Sequence, residues 1–172
     1  DYIEFTKKVS ESRFSQNLLS LSQGEVINLQ APLGNCILKE EYEKISFLIG
    51  GIGITPVISI IEYIFDNKLN IDTVLFYSNR TPQDIAFKDR LDEWSGNENI
   101  KVYHTITDCK TEECDYIRDR INESLLKDKV KDWPERIIFI FGPPSMVKAM
   151  ERLCPGLGCK NKNIKTENFV GY

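Results

Sequence analysis

The sequence predicts an α/β domain, a five-stranded parallel sheet with helices on both faces, preceded by a shorter antiparallel β segment. Three observations predict it. Short apolar runs without sustained polar alternation, ISFLI at 45–49 and RIIFIF at 136–141, are what strands covered on both faces show. From about residue 44 such runs alternate with stretches of helical spacing. Before that point the order is strand, short helix, strand, turn, which is not a βαβ pattern and is too short to enclose a core of its own. The boundary divides the chain into residues 1–43 and residues 44–172.

Each element follows from its residues. Residues 2–9 (YIEFTKKV) are rich in β-formers and partly alternating, so they read as a strand. FSQNLLSL at 14–21 suits two helical turns, Gly24 separates it from a second strand at 25–31 (EVINLQA), and Pro32, Leu33 and Gly34 mark a turn. The run at 45–49 ends in Gly50-Gly51-Ile52-Gly53. Pro56 opens a helix, where proline forfeits no hydrogen bond, and Val57, Ile58, Ile61, Ile64 and Phe65 recur at helical spacing. The alternation then repeats with strands at 73–78, 100–106, 136–141 and 163–169 and helices at 84–94, 115–126 and 144–153.

Composition excludes several classes. The chain has 172 residues, 22 basic and 26 acidic side chains and a net charge of −4, so one domain, or one plus a fragment, is expected. Hydrophobic residues at 41% and charged residues at 28% are ordinary for a globular protein and wrong for a disordered one. A pI near 5.2 argues against binding that relies on neutralising nucleic-acid phosphates. No apolar run reaches the ~18 residues that span a bilayer, and DYIEFTKK does not read as a signal peptide. Five cysteines at irregular spacing argue against a secreted disulfide framework and for a reducing, cytoplasmic location.

Three loops at strand ends carry unusual residues, and ligands of open parallel sheets bind beyond those ends. Gly50, Gly51 and Gly53 let an anion approach the backbone at a helix start, which suits a pyrophosphate. The spacing is not G-x-G-x-x-G, because Pro56 holds the third position, and the loop alone reads equally as a tight turn. After the strand at 73–78, Ser78 and Arg80 stand where many dinucleotide sites carry an acid. An arginine there accepts a 2′-phosphate, although Arg80 also suits a solvated surface charge. The third loop is Gly142-Pro143-Pro144-Ser145.

Taken together, GGIGITP (50–56), SNRTPQDIAFKDRL (78–91), FGPPSMV (141–147) and ENFVGY (167–172) resemble the ferredoxin–NADP reductase superfamily of flavoprotein oxidoreductases. Residues 1–43 resemble the last part of that family's flavin-binding β-barrel, with YIEFTKKV, SRFSQNLLSL and GEVINLQAPLG in the family's order. The resemblance covers nearly the whole chain, and it implies a Rossmann-like NAD(P)-binding domain over 44–172 behind a partial antiparallel β-barrel fragment. An unrelated Rossmann-type dehydrogenase would fit the fold but not the GPP and E-x-F elements.

The implied activity is that of a reductase component, passing hydride from NAD(P)H to FAD and electrons onward to an acceptor protein or small molecule. Such chemistry needs alignment and exclusion of water, while the cofactors carry the reaction. By resemblance, Gly50, Gly51 and Gly53 hold the pyrophosphate, and Thr55 with Pro56 faces the flavin–nicotinamide contact. Gly142, Pro143 and Met146 shape the nicotinamide pocket. Ser78 and Arg80 lie near the adenosine ribose, and Phe87 packs on adenine. Glu167 and Phe169 cover the flavin. The catalytic set is therefore Thr55, Glu167 and Phe169. Phe87 and Phe169 also suit an ordinary core.

Two departures stand out. Phe141 replaces the cysteine that the family usually carries before GPP, and a large ring there is expected to tighten the nicotinamide pocket, slow hydride transfer or force another stacking arrangement. The family's R-x-Y-S flavin-binding segment falls ahead of Tyr2, so the flavin site is expected to be completed by upstream residues or by a partner chain. The alternative is a nucleotide-binding subunit or regulatory module without catalysis of its own. His104, the only histidine, reads as structural. The C-x4-C pairs, Cys109 with Cys114 and Cys154 with Cys159, lack the usual metal-ligand spacings and read as free thiols, with no metal site expected.

Overall fold

The structure, a computed structural model, describes residues 3–30, 34, 36–109 and 116–169. Five strands, β1 (Lys44–Gly50), β2 (Asp72–Asn79), β3 (Ile100–Ile106), β4 (Ile137–Gly142) and β5 (Ile164–Asn168), form one sheet in the order β3-β2-β1-β4-β5. Every pairing is parallel. The chain steps outward from β1 to β3, returns to β4 beside β1, and steps outward again to β5. Strand order therefore reverses between β1 and β4, where a crevice opens at the carboxyl ends of the strands. The register levels those ends: Gly50 faces Ser78, Ile49 faces Phe141, and Phe141 and Gly142 face Glu167 and Asn168.

Alternating strand residues supply two cores, as a sheet covered on both faces requires. Ile45, Phe47, Ile49, Leu75, Tyr77, Phe139 and Phe141 pack against α2 (Thr55–Asp66) and α3 (Lys88–Trp94). Leu48, Val74, Phe76, Ile138 and Ile140 pack against α4 (Glu123–Lys129) and α5 (Pro144–Leu153). At the opposite end of the sheet, Arg136 is buried and satisfied by Asp72, Asp132 and the Ile45 carbonyl. Among the described residues no helix is long and apolar enough to cross a membrane.

Two helices differ from the sequence reading. The helix expected over 84–94 is split into a short 3-10 turn, Pro82–Asp84, and α3, with Phe87 in the left-handed region at φ 59° between them. A capping box between Thr81 and Asp84 starts the first turn, and the extended backbone of Ile85 (φ −72°, ψ 100°) ends it. The helix expected over 115–126 is instead α4, because the Asn122 side chain accepts from the Leu125 N–H and sets the start there. Ile117 makes a parallel bridge to Thr105 in place of a helical turn, and Asp115 lies outside the described residues.

Residues before β1 depart further. The short helix forms as α1 (Arg13–Leu19), started by Ser12, whose hydroxyl accepts from the Ser15 N–H. The expected strands do not form: residues 3–9 and 25–30 carry no strand. A strand exists only where a neighbour completes its ladder, and among the described residues none lies beside either segment.

Candidate functional site

The crevice is built by glycines that play different parts. Gly51 has φ +52°, and a Cβ added there would meet nothing within 4 Å, so its backbone lies bare at the surface. A Cβ on Gly50 would strike Met146 Sδ at 2.4 Å, which lets the α5 start close over the end of β1. Gly53 is a packing glycine. Its Cβ would lie 2.7 Å from the Phe141 carbonyl oxygen and 2.9 Å from the Gly142 nitrogen, so β4 runs directly against it. The chain then makes a 3-10 turn, Gly51–Ile54, and enters α2 at Thr55 and Pro56.

The expected site residues fall into two adjoining cavities. The first, of about 1220 Å³, is lined by Gly50, Gly51, Ser78, Arg80, Pro143 and Met146. The second, of about 640 Å³, is lined by Thr55, Pro56, Phe87, Glu167 and Phe169. Thr6 lines both. Gly53 and Gly142 line neither; they form the backbone crossing behind, and Gly142 accepts from the Phe169 N–H at 3.0 Å. Phe87 is thus placed apart from Ser78 and Arg80 rather than beside them, because its left-handed backbone turns it toward Arg90 and the tail.

The Phe141 ring is fully buried in the core, 5.9 Å from Phe139 between ring centroids. It does not tighten the pocket, because the strand pleat points it into the core. His104 packs between Tyr77 and Tyr116, and burial holds its pKa below the ordinary histidine value.

Charge is concentrated on the rim of the first cavity. Lys7, Lys8 and Arg80 line it together with Asp84 and Asp108. Arg80 is 79% exposed, and its Nε lies 3.4 Å from Asp108. The Asp84 carboxyl is held below its usual range by the Thr81 hydroxyl, helped by the charges of Lys8 and Arg80. Beyond the strands, the Thr107 N–H donates to the Asn79 carbonyl and the Asp108 N–H to the Arg80 carbonyl, fixing the two loops side by side. Sequence reasoning passed over Thr6–Lys8, Asp84 and 107–109. The end of β3 was nevertheless available to it, since all the carboxyl ends of a parallel sheet share one edge.

In the second cavity, Glu167 is backed by the segment before β1. A Cβ on Gly34 (φ +97°) would meet Glu167 Oε1 at 2.6 Å. Burial, followed by the charge of Glu167, pushes the Cys36 thiol up to about 12. The first cavity fits a dinucleotide in size, in its open backbone at Gly51 and in the Lys7, Lys8 and Arg80 cations on its mixed-charge rim; the second offers a smaller, partly aromatic wall to a ring system. Among the described residues no group of three or more His, Cys, Asp or Glu is placed to hold a metal ion. Cys36, Cys154 and Cys159 are free thiols, but Cys109 is disulfide-bonded, against the free thiol that its spacing predicts; Cys114 lies outside the described residues, as do Val170, Gly171 and Tyr172 of the ENFVGY ending.

Comparison with known proteins bears directly on this crevice. Residues 47–152 match the family described as the oxidoreductase NAD-binding domain. The chain is 30% identical over 170 residues to a nitrate reductase [NAD(P)H] of Betula pendula, covering 91% of this chain and 18% of that one. It is 31% identical over 168 residues to a glycine betaine monooxygenase reductase subunit of Pseudomonas aeruginosa, covering 95% and 46%. The chain thus spans less than half the length of these relatives. A ferredoxin NADP+ reductase from Neisseria gonorrhoeae, solved with bound FAD and NADP, superposes with a TM-score of 0.74 at 24% identity, covering 93% of this chain and 71% of that one; this likeness establishes the fold.

Proposed function

The chain belongs to the oxidoreductase NAD-binding domain family, and from that premise we propose that it is the pyridine-nucleotide part of a flavin-dependent NAD(P)H oxidoreductase. The observation that carries this reading is the pair of adjoining cavities at the strand ends, one with an open glycine backbone and Lys7, Lys8 and Arg80 on its rim, the other walled by Thr55, Phe87, Glu167 and Phe169. When bound, NAD(P)H supplies a hydride that FAD accepts, and the electrons leave for an acceptor protein or small molecule.

The residues of this chain bind and align. The Gly50–Gly51 backbone takes the pyrophosphate against the start of α2, with Gly53 and Gly142 letting β1 and β4 close behind it. Pro143 and Met146 wall the nicotinamide end. Ser78 and Arg80 face the adenosine ribose, where Arg80 exchanges Asp108 for a 2′-phosphate when one is offered. Thr55 and Pro56 stand where the two rings meet, and Glu167 and Phe169 exclude water from that contact.

Residues 1–43 are read as part of a flavin-binding barrel. They present Ile3, Phe5, Val9, Val26, Ile27, Leu29 and Ile37 to solvent, an apolar set that suits further strands. A cytoplasmic setting is supported by the free thiols Cys36, Cys154 and Cys159, with Cys109 the one disulfide-bonded cysteine among the described residues.

The test is the visible spectrum of the protein purified with its natural flanking residues or partner. Flavin bands that bleach on addition of NADH or NADPH support the reading. A colourless protein that binds nucleotide would instead make it a binding module, and absence of nucleotide binding would remove both.

A further inference from the structure

The cysteines at the end of α5 play no part in the nucleotide site. Residues 154–159 read CPGLGC. After α5 the chain makes a 3-10 turn, Cys154–Leu157, and reverses at Gly158, whose φ is 79°. Two nested backbone bonds close the turn: the Gly158 N–H donates to the Pro155 carbonyl at 3.0 Å, and the Cys159 N–H donates to the Cys154 carbonyl at 3.2 Å. This is the Schellman arrangement, which sets the side chains of its outer residues against each other. In most helix ends that contact is between two apolar groups. Here it is between two thiols, both free and both buried, Cys154 at 0% and Cys159 at 8% exposure.

We propose that Cys154 and Cys159 form a thiol–disulfide couple, a redox site in this chain whose oxidant is a low-molecular-weight disulfide. The backbone bond from the Cys159 N–H to the Cys154 carbonyl holds the two residues side by side, as a disulfide requires, and a single left-handed glycine, Gly158, holds the turn. Cys159 is the attacking thiol because it is the more exposed. Cys154 donates its S–H to Cys159, which holds the Cys159 pKa below the ordinary thiol value and raises that of Cys154. The Cys159 S–H also reaches the Trp133 carbonyl at 3.8 Å, which fixes its orientation.

The step balances. Cys159 loses its proton to solvent and its sulfur bonds one sulfur of the small disulfide, whose S–S bond breaks and releases a thiolate that takes up a proton. Cys154 then loses its proton, attacks the Cys159 sulfur and expels the second small thiol, which is protonated in turn. The protein gives up two electrons and two protons, and the small disulfide leaves as two thiols.

The couple lies at the far end of α5 from Pro144, about 15 Å along a ten-residue helix from the cavity. It does not depend on the nucleotide reading.

The folded chain, incubated with excess oxidised glutathione, acid-quenched, alkylated and cut with trypsin after Arg152 and Lys160, yields peptide 153–160, which holds both cysteines and no others. The proposal expects this peptide unalkylated and two hydrogens lighter than its reduced form, and doubly alkylated once the protein is treated with dithiothreitol. Cys154→Ser should leave Cys159 as a stable glutathione mixed disulfide, whereas Cys159→Ser should leave Cys154 alkylatable only after unfolding. A doubly alkylated or doubly glutathionylated peptide from the folded protein overturns the proposal, as does a cross-link that forms only in urea.

Discussion

Within the sheet, Phe47, Leu48, Leu75, Phe76, Phe139 and Ile140 are wholly buried, whereas Ile3, Phe14 and Val26 ahead of it are 78%, 66% and 92% exposed. Both regions are written in β-branched and aromatic residues. They differ in the company their backbones keep. Residues 44–50 find β2 on one side and β4 on the other, and helices cover both faces, so every apolar side chain has somewhere to go. Residues 3–9 and 25–30 have no ladder beside them among the described residues, so the same kind of side chain faces water. Apolar patterning states which face wants burial; strand pairing decides whether burial happens.

The contrast breaks first on stability. Phe139→Ala should lower the unfolding free energy by about 3–5 kcal/mol, because the ring is fully buried between Phe47 and Phe141. Val26→Ser should change it by less than about 0.5 kcal/mol, and urea midpoints on the same chain would compare the two. A large loss at Val26 would show that the segment already packs in solution.

Next in size is the glycine pair. Gly53→Val forces a side chain into the β4 backbone and should cost about 2–3 kcal/mol or prevent folding. A Cβ at Gly51 meets nothing within 4 Å, so Gly51→Val pays chiefly for its left-handed backbone, about 1–2 kcal/mol, and its circular dichroism should match the wild type.

Arg80→Ala should weaken NADPH about tenfold and leave NADH within about twofold, measured by fluorescence titration, if the guanidinium reads a 2′-phosphate. Equal losses would assign Arg80 only to its pair with Asp108.

The smallest effect is on pH. Burial lowers the His104 pKa in the folded chain, so the unfolded chain binds the proton more readily. Its share of stability is complete above the ordinary histidine value of about 6.5 and declines as pH falls below that toward the lower folded value. His104→Phe should flatten the urea midpoint between about pH 7 and 5 relative to wild type; an unchanged slope would rule the histidine out as its source.

Much of this was legible in the sequence, and the reasons are local. The sheet strands could be read because a run such as RIIFIF has no polar face to leave in water. Helix α5 was legible from Pro144 to Leu153, since proline marks its start. Helix α4 was misplaced because a charged amphipathic stretch tolerates several registers and only the Asn122 cap selects one. At the site, the sequence showed which loops meet but not that they form two cavities, nor that Gly53 faces β4 while Gly51 faces solvent. Those facts depend on where β4 crosses behind β1, a long-range contact that no neighbouring residue announces.

Calorimetric titration of the folded chain with NADH, wild type against Gly51→Val, bears most directly on the crevice between β1 and β4. One saturable site in the wild type, weakened at least tenfold in a Gly51→Val protein that still unfolds cooperatively, is the expected result. Undiminished affinity in Gly51→Val, or no heat of binding to the folded wild-type chain, would contradict it.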